Sequence, residues 1–599
     1  MFTFRKKYKV GSKRDTDASL YGRRIRIMRI VVLCLFAVFG ARLFTIQVMG
    51  YDYYRSLADD EHQFFKKLVP TRGEIFLRER NSDTKSSHLL ERNGAKLFPA
   101  VTNREYKLLY AVPKLIIDPE KTAETLAPIL EMEKEELLKK MSNRTESYRV
   151  LKRKVSDETY EHIRALELPG ISFNTEVYRF YPEKGLGGHV FGFLGYDAKN
   201  VFRGLYGLEG YFHDTLKGKE GSLKVEKDAF GTFIPVGDKK IVDAVNGSSL
   251  ILTIERTVQL VACDRLTKWV AQHGADGGSI IITEPKTGSI LAMCNTPDFD
   301  PEQYSKSEPA VYSNKAIFTP FEPGSTFKAI TMAMALDMDV VTPQTTYVDT
   351  GAIKIGSYTI KNSDLKAHGT QTMMNVLDNS LNTGAIYVAR KVGLENFKKY
   401  MKAFGFGTRT GIELDSESTG NMKALDDKNE IYLATSSFGQ GITVTPLQLV
   451  MAYGALANGG KLMQPYIVDE IIKPDGTSIK TKPKVIRQAI SERASTLVGG
   501  MLVNVVRKGH GQRAGVPYYY VAGKTGTAQV PKKNGRGYEK NVTIGSFVGF
   551  APVDDPQFAM LVKIDHPRSV QWAESSAAPL FGDLAHFLLN YYEVPPDEK

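Results

Sequence analysis

"FEPGSTFKAI", residues 321–330, sets a serine and a lysine three apart directly after a Pro-Gly break. The run that follows, "STFKAITMAMAL", spreads Phe327, Ile330, Met332, Met334 and Leu336 around its whole circumference if it is helical. A helix that is apolar all round is buried. Positions three apart share a face, so Ser325 and Lys328 must both be housed in the interior or in a cleft. The bland alternative, Ser325 as a helix cap and Lys328 in water, needs a polar side that this helix lacks. Burial disfavours the ammonium and lowers a lysine's pKa, which makes Lys328 a base able to take the serine's proton. The start of the helix also offers free N–H groups beside the serine.

Spacing alone does not single out this pair. Ser-x-x-Lys recurs at Ser82–Lys85 and Ser363–Lys366, Ser-x-Asn at Ser172–Asn174 and Ser380–Asn382, and Lys-Thr-Gly at Lys286–Gly288 and Lys524–Gly526. Context separates them. Ser82 lies in the polar run "RERNSDTKSSH", Ser172 in the alternating strand "ISFNTEVYRFY", and Lys286 in a tight turn between two strands. Lys524 is followed by a strand, and the glycine that a phosphate-cradling loop needs is replaced by Tyr518, so that reading is excluded. On a strand edge, Lys524, Thr525 and Thr527 can hold a carboxylate, and Gly526 lets a substrate backbone come close.

The rest of the chain frames this site. Of the net charge of +12, residues 1–29 hold +8, ten Lys and Arg against Asp15 and Asp17, which leaves +4 for the other 570. Basicity is thus a property of the tail, and binding of nucleic acid by the whole surface loses its support. The apolar run 30–49, "IVVLCLFAVFGARLFTIQVM", has the length of a membrane span. Basic residues on its N-terminal side put the N-terminus in the cytoplasm and the remainder outside. No small-residue cleavage site follows, so an uncleaved anchor is expected, with Arg42 as a charge inside it. Cys263 and Cys294 sit in apolar contexts and read as buried thiols, with a bridge between them left open. No spacing of His or Cys suggests a metal site. Strand-like and charged helical runs alternate over 51–245. From about 249 there follow a strand and an amphipathic helix, two strands around "EPKTGS", a mainly helical stretch from about 325 to 460, three late strands and a closing helix. Early and late strands sharing one sheet around a helical insertion make an α+β fold.

Ser325-Thr-Phe-Lys328, Ser380-Leu-Asn382 and Lys524-Thr-Gly-Thr527, in that order, resemble the three motifs of penicillin-binding proteins and class A β-lactamases. "FGQGITVTPLQLVMAYGALANGG" and "VAGKTGTAQV" extend the likeness over about 245–590, and "TRGEIF" and "GLYGLEGYF" carry it more weakly upstream, where a polar insertion displaces "ERNG" to 91–94. The chain resembles class B penicillin-binding proteins, with "GSFVGFAPVDDPQFAMLVKID" nearest the division-specific transpeptidase.

That resemblance implies a serine transpeptidase fold, an antiparallel sheet with a helical subdomain, behind a mixed α/β pedestal and one transmembrane helix. It divides the chain into a basic tail (1–29), anchor (30–49), pedestal or dimerisation-like domain (50–245), transpeptidase domain (246–592) and tail (593–599). It also implies the roles. Ser325 attacks the carbonyl between two terminal D-alanines of a peptidoglycan stem peptide, Lys328 accepts its proton, and Asn382 positions Lys328. Ser380 and Lys524 relay a proton to the leaving D-alanine, Thr525, Gly526 and Thr527 bind its carboxylate side, and a neighbouring stem amine resolves the acyl-enzyme. No cofactor or metal is implied. The implied partners are stem peptides, β-lactams, the cell membrane, a membrane-embedded glycan polymerase and division proteins. An elongation-type enzyme, or an anchored carboxypeptidase or β-lactamase in which water resolves the acyl-enzyme, is the alternative.

Overall fold

The computed structural model describes residues 15–51, 63–80, 90–92, 95–226, 239–532 and 537–598. They fall into two compact units, Met1–Pro70 with Lys219–Val245, and Thr71–Gly218 with Asn246–Lys599. In the first, the α-helix Asp15–Phe44 passes into a π-helical turn, Thr45–Met49. Arg24–Met49 is long and apolar enough to cross a membrane. The same unit contains a three-stranded antiparallel sheet with Gly221–Glu226 between Gln63–Leu68 and Lys239–Val242.

The second unit is built on a five-stranded antiparallel sheet in the order Ile290–Thr296, Gly277–Thr283, Phe558–Asp565, Tyr538–Ala551, Ala522–Pro531. Early and late strands do share it, as the order of elements along the chain implies. Side chains on a strand point alternately to its two faces. Ile280, Ile282, Phe547 and Val562 therefore pack with Leu266 of the helix Arg256–Gln272 and with Phe581 and Leu588 of the closing helix Ala573–Tyr591. Ile281, Val548 and Leu561 point the other way, into a core shared with Phe327–Asp337 and Pro446–Ala457. That second core brings the all-apolar helix of the opening motif to the sheet.

A mixed sheet lies upstream. Ser249–Glu255 runs parallel to Ile75–Glu79 and antiparallel to Val468–Ile472, and Ile75–Glu79 pairs with the long strand Ala95–Ala111. Ala95–Ala111 in turn pairs with Arg149–Val155 and Ile171–Phe180, against which the helices Pro119–Leu130, Lys134–Met141 and Asp157–Ala165 bury Leu126, Leu137 and Ile163.

Two expectations need correction. The stretch 325–460 is less uniformly helical than its apolar content suggests, because Thr346–Asp349, Ala352–Ile355, Tyr358–Lys361 and Gly369–Thr372 form two short ribbons. They are organised by buried Asp349, which accepts hydrogen bonds from Gly351 N, His368 N, Asn362 Nδ2 and Thr383 Oγ1 at 2.7–3.1 Å. Cys263 and Cys294 are not thiols but a disulfide, with Cα atoms 5.3 Å apart. The helix Arg256–Gln272 packs along Ile290–Thr296, and this sets the two side chains face to face in one core.

Candidate active site

Ser325 sits in a single 3-10 turn, Gly324–Thr326, that leads straight into the α-helix Phe327–Asp337. Gly324 has φ +57°, a left-handed conformation that a side chain would resist, so the turn depends on a residue without Cβ. Thr326 Oγ1 donates back to Pro323 O (2.7 Å), and from behind Tyr453 Oη donates to Thr326 O (2.6 Å). The serine is half-buried on a braced turn. Every residue from Phe327 to Leu336 is buried, Lys328 included at 1 % exposure.

Lys328 Nζ donates to Ser380 O (2.5 Å) and Ser380 Oγ (3.2 Å). Burial pushes this lysine well below its ordinary value, and the nearby positive Lys524 pushes in the same direction. Ser380 can offer both oxygens because its backbone is left-handed, φ 53°. That conformation is strained for a residue with a Cβ and characteristic of functional turns. The resemblance implies that Asn382 positions Lys328, whereas the hydrogen-bond partner of Lys328 here is Ser380. The left-handed turn presents residue 380 to the lysine, while Asn382 Nδ2 donates to Lys361 O (2.8 Å) and ties down the neighbouring ribbon.

The third motif lies on Ala522–Pro531, the terminal strand of the five-stranded sheet. A Cβ on Gly526 would stand 2.8 Å from both Pro323 O and Thr326 Cγ2. Glycine at 526 is therefore what lets the strand lie against the serine turn. Lys524 is fully buried, and burial draws it down to about 8 against the opposing pull of Glu574 and Asp378. Its own contacts are long, 3.4 Å to Thr525 O and 3.3 Å to Thr525 Oγ1. Thr527 Oγ1 accepts from Ala573 N (3.0 Å), which leaves its hydroxyl hydrogen free to donate.

The predicted residues thus gather at one place: the Ser325 turn, Lys328 and Ser380 behind it, and Lys524, Thr525, Gly526 and Thr527 along its flank. The decoys do not. Ser172 is paired within a sheet opposite Tyr110, Lys286 is exposed and pairs with Asp555, and Ser363 and Lys366 are exposed. Ser82–Lys85 lies outside the described residues. Sequence reasoning missed Glu322, which accepts from Gly441 N (3.0 Å) and from Tyr538 Oη (3.1 Å), and a polar group at Asp378, Asn504, His510 and Glu574. Only Asp378 carried a usable signal, being two residues before Ser380.

Comparison with known proteins agrees with this geometry. The profile of the penicillin-binding protein transpeptidase domain matches residues 278–586, and that of the penicillin-binding protein dimerisation domain matches 87–252. The chain belongs to the penicillin-binding proteins. It is 36% identical to stage V sporulation protein D of Bacillus subtilis, over 96% of this chain and 86% of that one. It is 30% identical to the peptidoglycan D,D-transpeptidase FtsI of Buchnera aphidicola, over 89% and 91%. Among solved structures, penicillin-binding protein 3 of Mycobacterium tuberculosis complexed with aztreonam superposes with a TM-score of 0.66 at 25% identity, covering 89% of this chain and 98% of that one. The α+β architecture is therefore the penicillin-binding transpeptidase fold.

Proposed function

We propose that this chain is a serine D,D-transpeptidase that cross-links peptidoglycan and is acylated by β-lactams. The observation that carries the reading is the environment of Lys328: a buried lysine driven toward the neutral amine, one helical turn from Ser325 and held by Ser380. Such an amine can take the proton from Ser325 Oγ as the oxygen attacks the penultimate D-alanine carbonyl. The N–H groups of Ser325 and Thr527 are the candidates to receive the developing oxyanion. Collapse of the tetrahedral intermediate breaks the peptide bond. The departing D-alanine nitrogen takes a proton from the Lys328–Ser380 side of the site, with charged Lys524, Thr525 and Thr527 holding its carboxylate. An amine of a second stem then attacks the ester and restores the Ser325 hydroxyl.

The apolar span, the basic residues before it and the relatives together support a single-pass protein of the cytoplasmic membrane. Its N-terminus lies inside, and its pedestal (50–245) and transpeptidase domain (246–592) lie outside. We assign it to septal wall synthesis beside a membrane-embedded glycan polymerase and division proteins. The identity to a relative named as a sporulation protein favours a second reading, wall synthesis during sporulation. A tagged copy at every division site in growing cells supports the first, and one produced only in sporulating cells supports the second.

The test of the chemistry is direct. A fluorescent penicillin should label the purified protein covalently, Ser325→Ala should abolish labelling, and Ser363→Ala should leave it intact. Labelling that survives in Ser325→Ala removes Ser325 as nucleophile. Rapid multiple turnovers of a chromogenic β-lactam would replace the transpeptidase by a lactamase.

A further inference from the structure

Two buried lysines flank one serine turn here, and the positive charge of Lys524 opposes one on Lys328. The proposed chemistry needs them in opposite states, with Lys328 an amine and Lys524 an ammonium. Nothing in the three motifs breaks that symmetry. Among the described residues Lys524 has only its two long contacts to the adjacent Thr525, which are poor means of holding a buried charge.

The residues that break it lie outside the motifs and form a hydrogen-bonded circuit from the Ser380 turn to the Lys524 strand. Asp378 ends the helix Met373–Asp378, two residues before Ser380. Its carbonyl accepts from His510 N (3.1 Å) and its Oδ2 from Asn504 Nδ2 (2.6 Å). The His510 ring is paired with the Glu574 carboxylate. Glu574 follows Ala573, whose N–H donates to Thr527 Oγ1. Asp378 is only 7 % exposed, and its Oδ1 is buried with no hydrogen-bond partner among the described residues. A buried carboxylate oxygen without a donor is unfavourable unless its charge acts on something through space. Lys524, buried nearby, is that cation.

We propose that Asp378 and the His510–Glu574 pair are positioning residues which keep Lys524 an ammonium while Lys328 is an amine, and so set the alkaline limit of acylation. The inference rests on the transpeptidase reading above. Each element packed around the two lysines contributes identifiable groups. The nucleophile helix gives Lys328, Met373–Asp378 gives Asp378, Glu492–Lys508 gives Lys508 beside the neutral Asn504, the following loop gives His510 and Arg513, and Ala573–Tyr591 gives Glu574. Of these only Asp378 and Glu574 are anions. Burial has the largest effect on Lys524, and of the two anions opposing it Glu574 acts the more strongly; the hydrogen bond from His510 holds Glu574 below the usual carboxylate range. Burial pushes Asp378 up to about 6, so it is anionic above that pH. Around neutrality both negative charges are present, and both oppose the loss of the Lys524 proton near 8.

The sign of the test follows. Removing either anion makes Lys524 lose its proton more readily, so the alkaline limb of the pH–rate profile moves to lower pH, by roughly half to one unit for a charge at this range. The measurement is the second-order rate of acylation of the detergent-solubilised full-length protein by a fluorescent penicillin between pH 5.5 and 9.5. For Asp378→Asn and Glu574→Gln, the ratio of variant to parent rate should fall steadily from pH 7 to 9. Asp378→Glu, which keeps the charge, should restore the limb. A uniform loss at every pH, or an unmoved limb in both neutralising variants, overturns the proposal. Should Asp378→Asn fail to fold, Glu574→Gln decides alone, because that side chain is partly exposed and its loss opens no cavity. A parent protein that is not acylated at all removes the transpeptidase reading and this inference with it. An acylated parent with unmoved variants removes only the inference.

Discussion

A lysine at 1 % exposure, held by one carbonyl and one hydroxyl, is tolerated by the fold rather than needed by it. Lys328 titrates well below the ordinary 10.5 because of burial and then of Lys524. Between its folded value and 10.5 the unfolded chain binds a proton that the folded chain does not. Stability therefore rises with pH through that window, and the penalty is greatest below it. Leaving the Ser380 oxygens without their donor would cost roughly 1–3 kcal/mol. The cost of housing an ammonium in the interior is the larger of the two effects, so Lys328→Met, apolar and of similar length, should melt higher than the parent at pH 7. The gain should shrink as pH approaches 10, while acylation falls by roughly 10²–10⁴-fold. A methionine variant that melts lower at neutral pH would make Lys328 a structural residue instead. Ser325 and Lys328 were legible in the sequence because one short helix contains both and its apolar surround fixes their environment. Ser380's hold on Lys328 was not, because it depends on a left-handed φ that a serine codon does not advertise.

The strands behave similarly. Those of the five-stranded sheet are legible as short apolar runs, and the pairing of the first two from the "EPKTGS" turn between them, because each of those signals is local. Contacts that close a site across 200 residues leave no local trace, and the link between Tyr538 and Glu322 is one. Tyr538 opens its strand opposite Pro531, at the end of the hairpin that carries Lys524. Its hydroxyl reaches Glu322 Oε2, while Glu322 Oε1 accepts from Gly441 N (3.0 Å), so a carboxylate three residues before Ser325 ties hairpin, nucleophile turn and the 438–441 loop together. Burial raises both Glu322 and Tyr538, and the hydroxyl is the donor that keeps the carboxylate satisfied. Tyr538→Phe removes that donor and little else. It should destabilise the protein by roughly 1–3 kcal/mol, the penalty for a buried acceptor left alone. It should also slow acylation several-fold as the hairpin loosens from the serine turn. Thermal denaturation and acylation rates measured side by side test this, and a variant equal to the parent in both would show that the hairpin is held by its ladder alone.

All the groups assigned a chemical step lie in one compact unit, Thr71–Gly218 with Asn246–Lys599, and the apolar helix lies in the other. The disulfide Cys263–Cys294 belongs to the first of these and fits the oxidising side of a membrane. Chemistry and anchoring can therefore be separated by experiment. Arg42 gives a reason to separate them, since a charge at the centre of a span costs roughly 2.5–3.5 kcal/mol on insertion scales and Arg42, in the last turn of the α-helix, still lies within the apolar span. Just after it the α-helix widens into the π-helical turn Thr45–Met49, with Thr45 Oγ1 donating to Ala41 O (3.0 Å) and Arg42 O (2.8 Å). Single π-helical turns are frequent at functional sites. A helix serving only as a tether gains nothing from either feature, whereas one that packs against a membrane partner can use both. Replacing residues 30–49 with an unrelated apolar span should then leave penicillin labelling at the parental level and insertion normal. In cells lacking the parent copy it should fail to support growth under conditions where the parent does. Restoring Arg42 and the 45–49 segment within the foreign span should recover part of that growth. Full growth with the foreign span would reduce the segment to a tether and Arg42 to a side chain reaching the membrane surface.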